Sequence, residues 1–183
     1  VPFNKEELTA SPLGPEAKEN HMLDALEKAF ELRQAGQLDA SHALFKNLAE
    51  AHPDEAEIQY QCAWSLDILG REREAVEYYE KALGLGLEGE NLEGALLGLG
   101  STYRALGEYQ KSQLTFEKGL QLFPGNPVLK SFYAITLYNL KQHNTAMQHL
   151  LEVLVDTSKD PGIQAYSRAL RFYADNLDRV WNE

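Results

Sequence analysis

Cysteine is almost missing from this chain: Cys62 is the only one in 183 residues. A single thiol excludes an intrachain disulfide framework and a zinc–thiolate cluster. Long apolar runs are missing too, and no stretch approaches the ~20 continuous apolar residues that a membrane span needs. Nor is there the hydrophobic region of a signal peptide. The chain starts at Val1 rather than methionine, so it reads as a processed product or a fragment, with cytoplasmic residence as the expectation. Basic residues are scarce, 17 Lys and Arg against 28 Asp and Glu, for a net charge of −11. Residues 1–124 carry 22 acidic and 11 basic side chains, whereas residues 125–183 carry six of each. Neutralising phosphates takes a basic footprint, so nucleic acid and anionic membrane are not expected partners. A basic or neutral polypeptide fits better.

What is present is a beat. Gly36, Gly70 and Gly107 are spaced by 34 and 37 residues, and Lys141 takes the same slot 34 residues on. Ser41, Ala75, Ser112 and Ala146 keep that register, as do Phe45, Tyr79, Phe116 and Leu150. Pro53 and Pro124 close the first and third units. Self-similarity at this period predicts stacked helical hairpins, each too small to bury its own apolar face alone. The 44% hydrophobic content supplies the core.

Residues 1–19 hold Pro2, Pro12, Gly14 and Pro15 without sustained periodicity, and read as a flexible arm with one helical turn around Lys5 to Leu8. From Met22 onward four units follow, 22–55, 56–92, 93–126 and 127–160, within an array over 20–160. The tight turns inside the first three hairpins each carry a glycine suited to the left-handed conformation that ends a helix. In the fourth, Lys141 should be strained, or relieved by Asn144. Residues 161–183 read as a C-terminal capping helix with Pro161 in its first turn.

The segment Ala95 to Pro124 contains Leu96, Leu99-Gly100, Tyr103, Gly107, Tyr109, Ser112, Phe116 and Pro124. It resembles the tetratricopeptide repeat, with its aromatic-x2-Leu-Gly-x2-Tyr…Ala…Phe…Pro pattern. Over roughly Gln59 to Asp178 the chain is similar to a bacterial subgroup labelled group 5, on the strings Gly86-Leu-Glu-Gly, Leu99-Gly-Ser-Thr-Tyr-Arg-Ala-Leu-Gly and Leu137-Tyr-Asn-Leu. The resemblance implies an all-α, right-handed α-solenoid of four hairpins plus the capping helix, and no established biochemical activity. Self-association has been suggested for that subgroup. Ser112, Gly119 and Lys141 depart from the general pattern.

The first helix of each hairpin lines the concave face in this family. Its groove slots, carried over by register, select Leu26, Phe30 and Arg33, then Tyr60, Trp64 and Asp67. The later units contribute Leu97, Ser101 and Arg104, then Ile135, Tyr138 and Asn139. The capping helix adds Phe172 and Tyr173. Aromatics and arginine are the types enriched at binding hot spots, and Arg104 or Arg33 would fix the polarity of a bound peptide. The same register is compatible with Leu26, Phe30 and Leu97 packing between hairpins. The lysine–asparagine–arginine clamp of chaperone-tail-binding relatives is missing, because Leu26 and Phe30 stand at its first-unit positions.

The expected function is thus non-catalytic protein binding on the concave face. The alternatives are a homodimer that uses the same apolar surfaces or Phe172, Tyr173 and Trp181, and a peptide-sensing regulator. No cofactor and no metal are expected. Gly84-Leu-Gly-Leu-Glu-Gly spells a dinucleotide fingerprint, but it follows a helix instead of a strand and reads as an inter-repeat loop lengthened by three residues. His143 and His149 read as ordinary surface histidines, and Cys62 as a buried inert thiol. No Gly-x-Ser-x-Gly elbow appears, and Ser101 reads as a packing residue.

Overall fold

The computed structural model describes residues 15–181, and those residues contain ten helices and no strand. Four hairpins follow one another: α1 (Pro15–Gln34) with α2 (Leu38–Ala51), and α3 (Ala56–Ile68) with α4 (Glu72–Gly84). Then come α5 (Gly89–Ala105) with α6 (Tyr109–Leu122), and α7 (Pro127–Asn139) with α8 (His143–Thr157). Helices α9 (Pro161–Ala165) and α10 (Ser167–Ala174) end the stack. The arm expected over residues 1–19, including the turn at Lys5 to Leu8, lies outside the described residues apart from the start of α1. That helix begins at Pro15, ahead of the expected array.

The turns inside the hairpins follow from backbone sterics. Gly36, Gly70 and Gly107 adopt φ of 73°, 69° and 78°, the left-handed region where a Cβ is penalised. Lys141 adopts φ 65° without that freedom. All four turns close with the same pair of backbone bonds; in the fourth, Lys141 N–H donates to Tyr138 O at 3.0 Å and Gln142 N–H to Leu137 O at 2.9 Å. Those bonds hold the strained residue in place. Asn144 gives no relief, since its side chain donates to Asp178.

Small residues set how closely the two helices of a hairpin approach. The Ser41 hydroxyl donates to Ala29 O, and the equivalent Ser112 hydroxyl to Gly100 O, both at 2.8 Å. Ser112 also meets the Thr136 hydroxyl at 2.8 Å, so its departure from alanine is fully satisfied although the residue is buried. A Cβ on Gly100 would stand 2.7 Å from Phe116 Cζ, so only glycine lets that ring close over the helix. Large residues four positions on fill the space between hairpins: Phe45, Tyr79 and Phe116 are buried.

Two local expectations change. The three additional residues of the second unit do not lengthen a loop: the segments 52–55, 85–88 and 123–126 are equally long, and the extra length becomes a further turn at the start of α5. In place of one capping helix over 161–183, the chain breaks at Tyr166 into α9 and α10, and α10 rests on α8. Along the stack α3 packs on α5 and α5 on α7. The first helices of the hairpins, α1, α3, α5 and α7, therefore form the inner layer, and their free faces line the concave side.

Candidate functional site

On α1, α3 and α5 the selected residues recur at i, i+4 and i+7, and on α7 Ile135, Tyr138 and Asn139 stand at i, i+3 and i+4, which places each set on one stripe. Tyr60, Trp64 and Asp67 form the α3 stripe, and Leu97, Ser101 and Arg104 the α5 stripe. Between them lies a groove of about 390 Å³ lined by Tyr60, Trp64, Asp67, Ile68, Tyr79, Leu97, Ser101 and Phe132, with Gly94 and Gly98 as its floor. Five of the sequence-selected residues thus meet in one place. The glycines explain the depth. A Cβ on Gly94 would collide with the Tyr60 hydroxyl, and one on Gly98 with the Tyr79 ring. Both tyrosines bring their hydroxyl ends against bare α5 backbone.

The aromatic wall continues to α1. Tyr60 stacks on Trp64, with centroids 6.2 Å apart and an interplanar angle of 15°. The Arg33 guanidinium sits 4.5 Å from the Trp64 ring and 4.5 Å from Phe45, and Phe30 meets Phe45 edge-on at 5.3 Å. Trp64 keeps 42% of its surface exposed, while Tyr60 is buried.

Several selected residues have internal duties. Arg33 donates to Gln61 Oε1 at 2.8 Å and to Gln61 O at 3.1 Å, so its fork is engaged within the chain. Asp67 accepts from Tyr79 OH at 2.7 Å and Thr102 Oγ1 at 2.8 Å, tying α3 to α4 and α5. Burial raises the Asp67 pKa, and those two hydrogen bonds oppose the rise. The Ser101 hydroxyl donates to Leu97 O in its own helix. Leu26 packs into the core of the first hairpin, and Leu97 into the core between α6 and α7. The Nε atoms of Arg33 and Arg104 are both buried without a hydrogen-bond partner among the described residues, as is Asn139 Oδ1 on α7; the two arginines differ in that Gln61 occupies the terminal nitrogens of Arg33. Ile135 and Tyr138 are exposed farther along α7, where Tyr138 lies 4.9 Å from the His143 ring. Phe172 and Tyr173 lie on α10 beside Trp181, at 5.7 Å and 6.0 Å.

The register did not select Ile68, Tyr79, Phe132, Gly94 or Gly98. The available signal was the Gly94/Gly98 pair, four residues apart inside a helix, where glycine costs about 1 kcal/mol against alanine. Cys62 is buried, and that burial pushes its thiol up to about 12. His149 is not the surface histidine expected. It is half-buried 5.4 Å from the Tyr133 ring, with Nδ1 3.8 Å from Glu152, and burial lowers its pKa, followed by the nearby Lys130. No cluster of three metal-ligating side chains occurs among the described residues. The fingerprint-like string ends α4 and begins α5 with no strand before it.

The fold recurs in solved structures. The crystal structure of MamA protein superposes with a TM-score of 0.66 at 14% identity, over 92% of this chain and 82% of that one. A tetratricopeptide repeat protein from Parabacteroides merdae gives 0.65 at 15% identity, over 85% of this chain and 60% of that one. MamA 41-end from Desulfovibrio magneticus gives 0.62 at 16%, over 92% and 100%. At these identities the likeness is one of fold. No curated protein matches the sequence. The family model described as Tetratrico peptide repeat matches residues 56–177, two-thirds of the chain and three of its four hairpins, so the chain belongs to the tetratricopeptide repeat family.

Proposed function

We propose that the concave groove holds a peptide or short helix of a partner protein, with no chemistry performed on it. The observation that carries this reading is Trp64, a large aromatic left 42% exposed at the mouth of an apolar groove that glycines have deepened. Such a surface gains by covering apolar area, at roughly 25 cal/mol per Å² before ordering costs. Arg104 is the cation that sets direction, since Arg33 is already committed to Gln61. A carboxylate or backbone carbonyl of the bound segment would pair with its guanidinium. The stack is preformed, so little ordering entropy is lost on its side.

The test is selection of peptides from a random library on the intact chain. Affinities are then read from Trp64 fluorescence in a Trp181→Phe background, and by calorimetry for the Trp64 variant. Tyr60→Ala and Trp64→Ala should each weaken the selected peptides by about 1–3 kcal/mol, the hot-spot range. Equal affinity for folded variants would refute the groove assignment. One observation favours the second reading, a homodimer: Phe172, Tyr173 and Trp181 form a cluster in which each ring is about half exposed. A mass that doubles with concentration and returns to monomer on Trp181→Ala would support it.

A further inference from the structure

Every helix that opens a new hairpin fills the same slot on the hairpin before it. In α7 the filling residues are Leu129, Tyr133, Thr136 and Leu137, all buried. They pack with Phe116 of α6, and Thr136 bonds Ser112. The equivalent positions of α3 and α5 repeat the chemistry, apolar, apolar, hydroxyl, apolar, with Ser65 and Thr102 at the hydroxyl position and all four positions buried each time. The receiving stripe on α6 is Gln113, Phe116 and Leu120. Thirty-four residues on, the stripe on α8 is Met147, Leu150 and Leu154.

That last stripe is open. Phe116 is fully buried under α7, whereas Met147, Leu150 and Leu154 are 47%, 42% and 40% exposed. The chain's own continuation does not fit the slot. Advancing the α7 pattern by one repeat gives Ile163, Ser167, Leu170 and Arg171, so a hydroxyl and a cation stand where two apolar groups are needed. The helix breaks at Tyr166, and α10 settles elsewhere on α8. Gln148 donates to Asp175 at 2.9 Å, Arg171 to Asp156 at 2.6 Å, and Asn144 to Asp178. Asn144, Gln148 and Val155 share a helix face roughly 100° or more from the Met147–Leu154 stripe.

We infer that this stripe is a second docking site, which takes an amphipathic helix of another polypeptide as the next layer of the stack. The stripe continues an interface that the chain already makes three times, and this specifies the occupant: apolar-x3-large apolar-x2-Ser/Thr-apolar. A second copy stacking head to tail does not meet the specification. The equivalent positions of α1 are Asp24, Lys28, Glu31 and Leu32, with Lys28 and Glu31 paired at 3.0 Å, and burying three charges there is unfavourable. Helices α3, α5 and α7 carry the pattern but are held inside the stack.

The test uses a fluorescent peptide copying residues 127–139, cross-linked between positions 128 and 132 to hold it helical, and titrated with the whole chain. Saturable binding at micromolar concentration is expected. It should weaken by about tenfold or more for the chain with Leu150→Glu or Met147→Glu, and for the peptide with Tyr133→Glu. Both chain positions are partly exposed, so these variants should keep their helix content, checked by circular dichroism. Trp64→Ala should leave this binding unchanged, which separates the site from the concave groove. Absence of saturable binding by the intact chain, or binding kept by both folded stripe variants, overturns the inference. A dimer of the intact chain that Leu150→Glu turns into monomer also overturns it, by giving the stripe to a second copy.

Discussion

Replacing Gly98 by alanine should destabilise the protein, although alanine is the better helix former. In an open helix interior the change would favour folding by about 1 kcal/mol. Here the new Cβ falls 2.8 Å from Tyr79 Cε1 and closer still to the phenol oxygen. Tyr79 is 1% exposed and its hydroxyl is held 2.7 Å from Asp67 Oδ2, so the ring has no free path away. Overpacking of this kind costs about 1–3 kcal/mol. Loosening a hydrogen bond to a half-buried carboxylate adds about 1.5–3 kcal/mol. Against the propensity gain of about 1 kcal/mol, the net loss is about 1.5–5 kcal/mol. Gly84→Ala is the control: Gly84 is the last residue of α4, nothing lies within 4 Å of its Cβ and its φ is ordinary. The assay is urea unfolding of both variants followed by far-ultraviolet circular dichroism. The whole curve should be fitted, because a repeat array need not unfold in two states. A Gly98→Ala midpoint at or above that of Gly84→Ala would refute the packing account of the groove floor.

Two further outcomes test other parts of the fold. Lys141→Gly should stabilise by about 0.5–1 kcal/mol, the left-handed penalty of ~1–2 less the entropy of glycine; an unchanged thermal midpoint would contradict strain at φ 65°. His42 is buried against the Ser65 hydroxyl at 2.8 Å, and burial, then the neighbouring Arg71 and Lys46, lowers its pKa, while burial also lowers that of His149. The unfolded chain takes those protons near the ordinary imidazole value of 6.5, so it binds more protons than the native state as pH falls through that value. Stability is therefore greatest above about pH 6.5 and declines below it. The thermal midpoint should drop between about pH 7.5 and 5.5, and less so in the His42→Gln/His149→Gln variant; equal slopes would overturn the assignment.

Much of the architecture was legible because each repeat poses the same local problem. A left-handed turn residue, a small residue at the helix crossing and a large one four positions later are requirements of backbone sterics and of packing within one hairpin. They are met at fixed spacing, so reading Gly36, Ala29, Ser41 and Phe45 once suffices to find their counterparts. The groove was only partly legible. Register selects which stripe of an inner helix faces inward, and Tyr60, Trp64, Asp67, Leu97 and Ser101 do converge. It says nothing of which polar groups are already engaged, and Arg33 and Arg104, alike in sequence, differ because Gln61 takes the fork of one.

The amino-acid sequence by itself determined the helical solenoid, the number of hairpins and the left-handed turns, since these rest on contacts within about 34 residues along the chain. Only the tertiary structure decided that three additional residues lengthen α5, that His149 is half-buried against Tyr133, and that the terminal segment breaks at Tyr166. It alone left Met147, Leu150 and Leu154 uncovered. Each of these depends on a neighbour from another hairpin, where a side chain's fate is set by what packs over it.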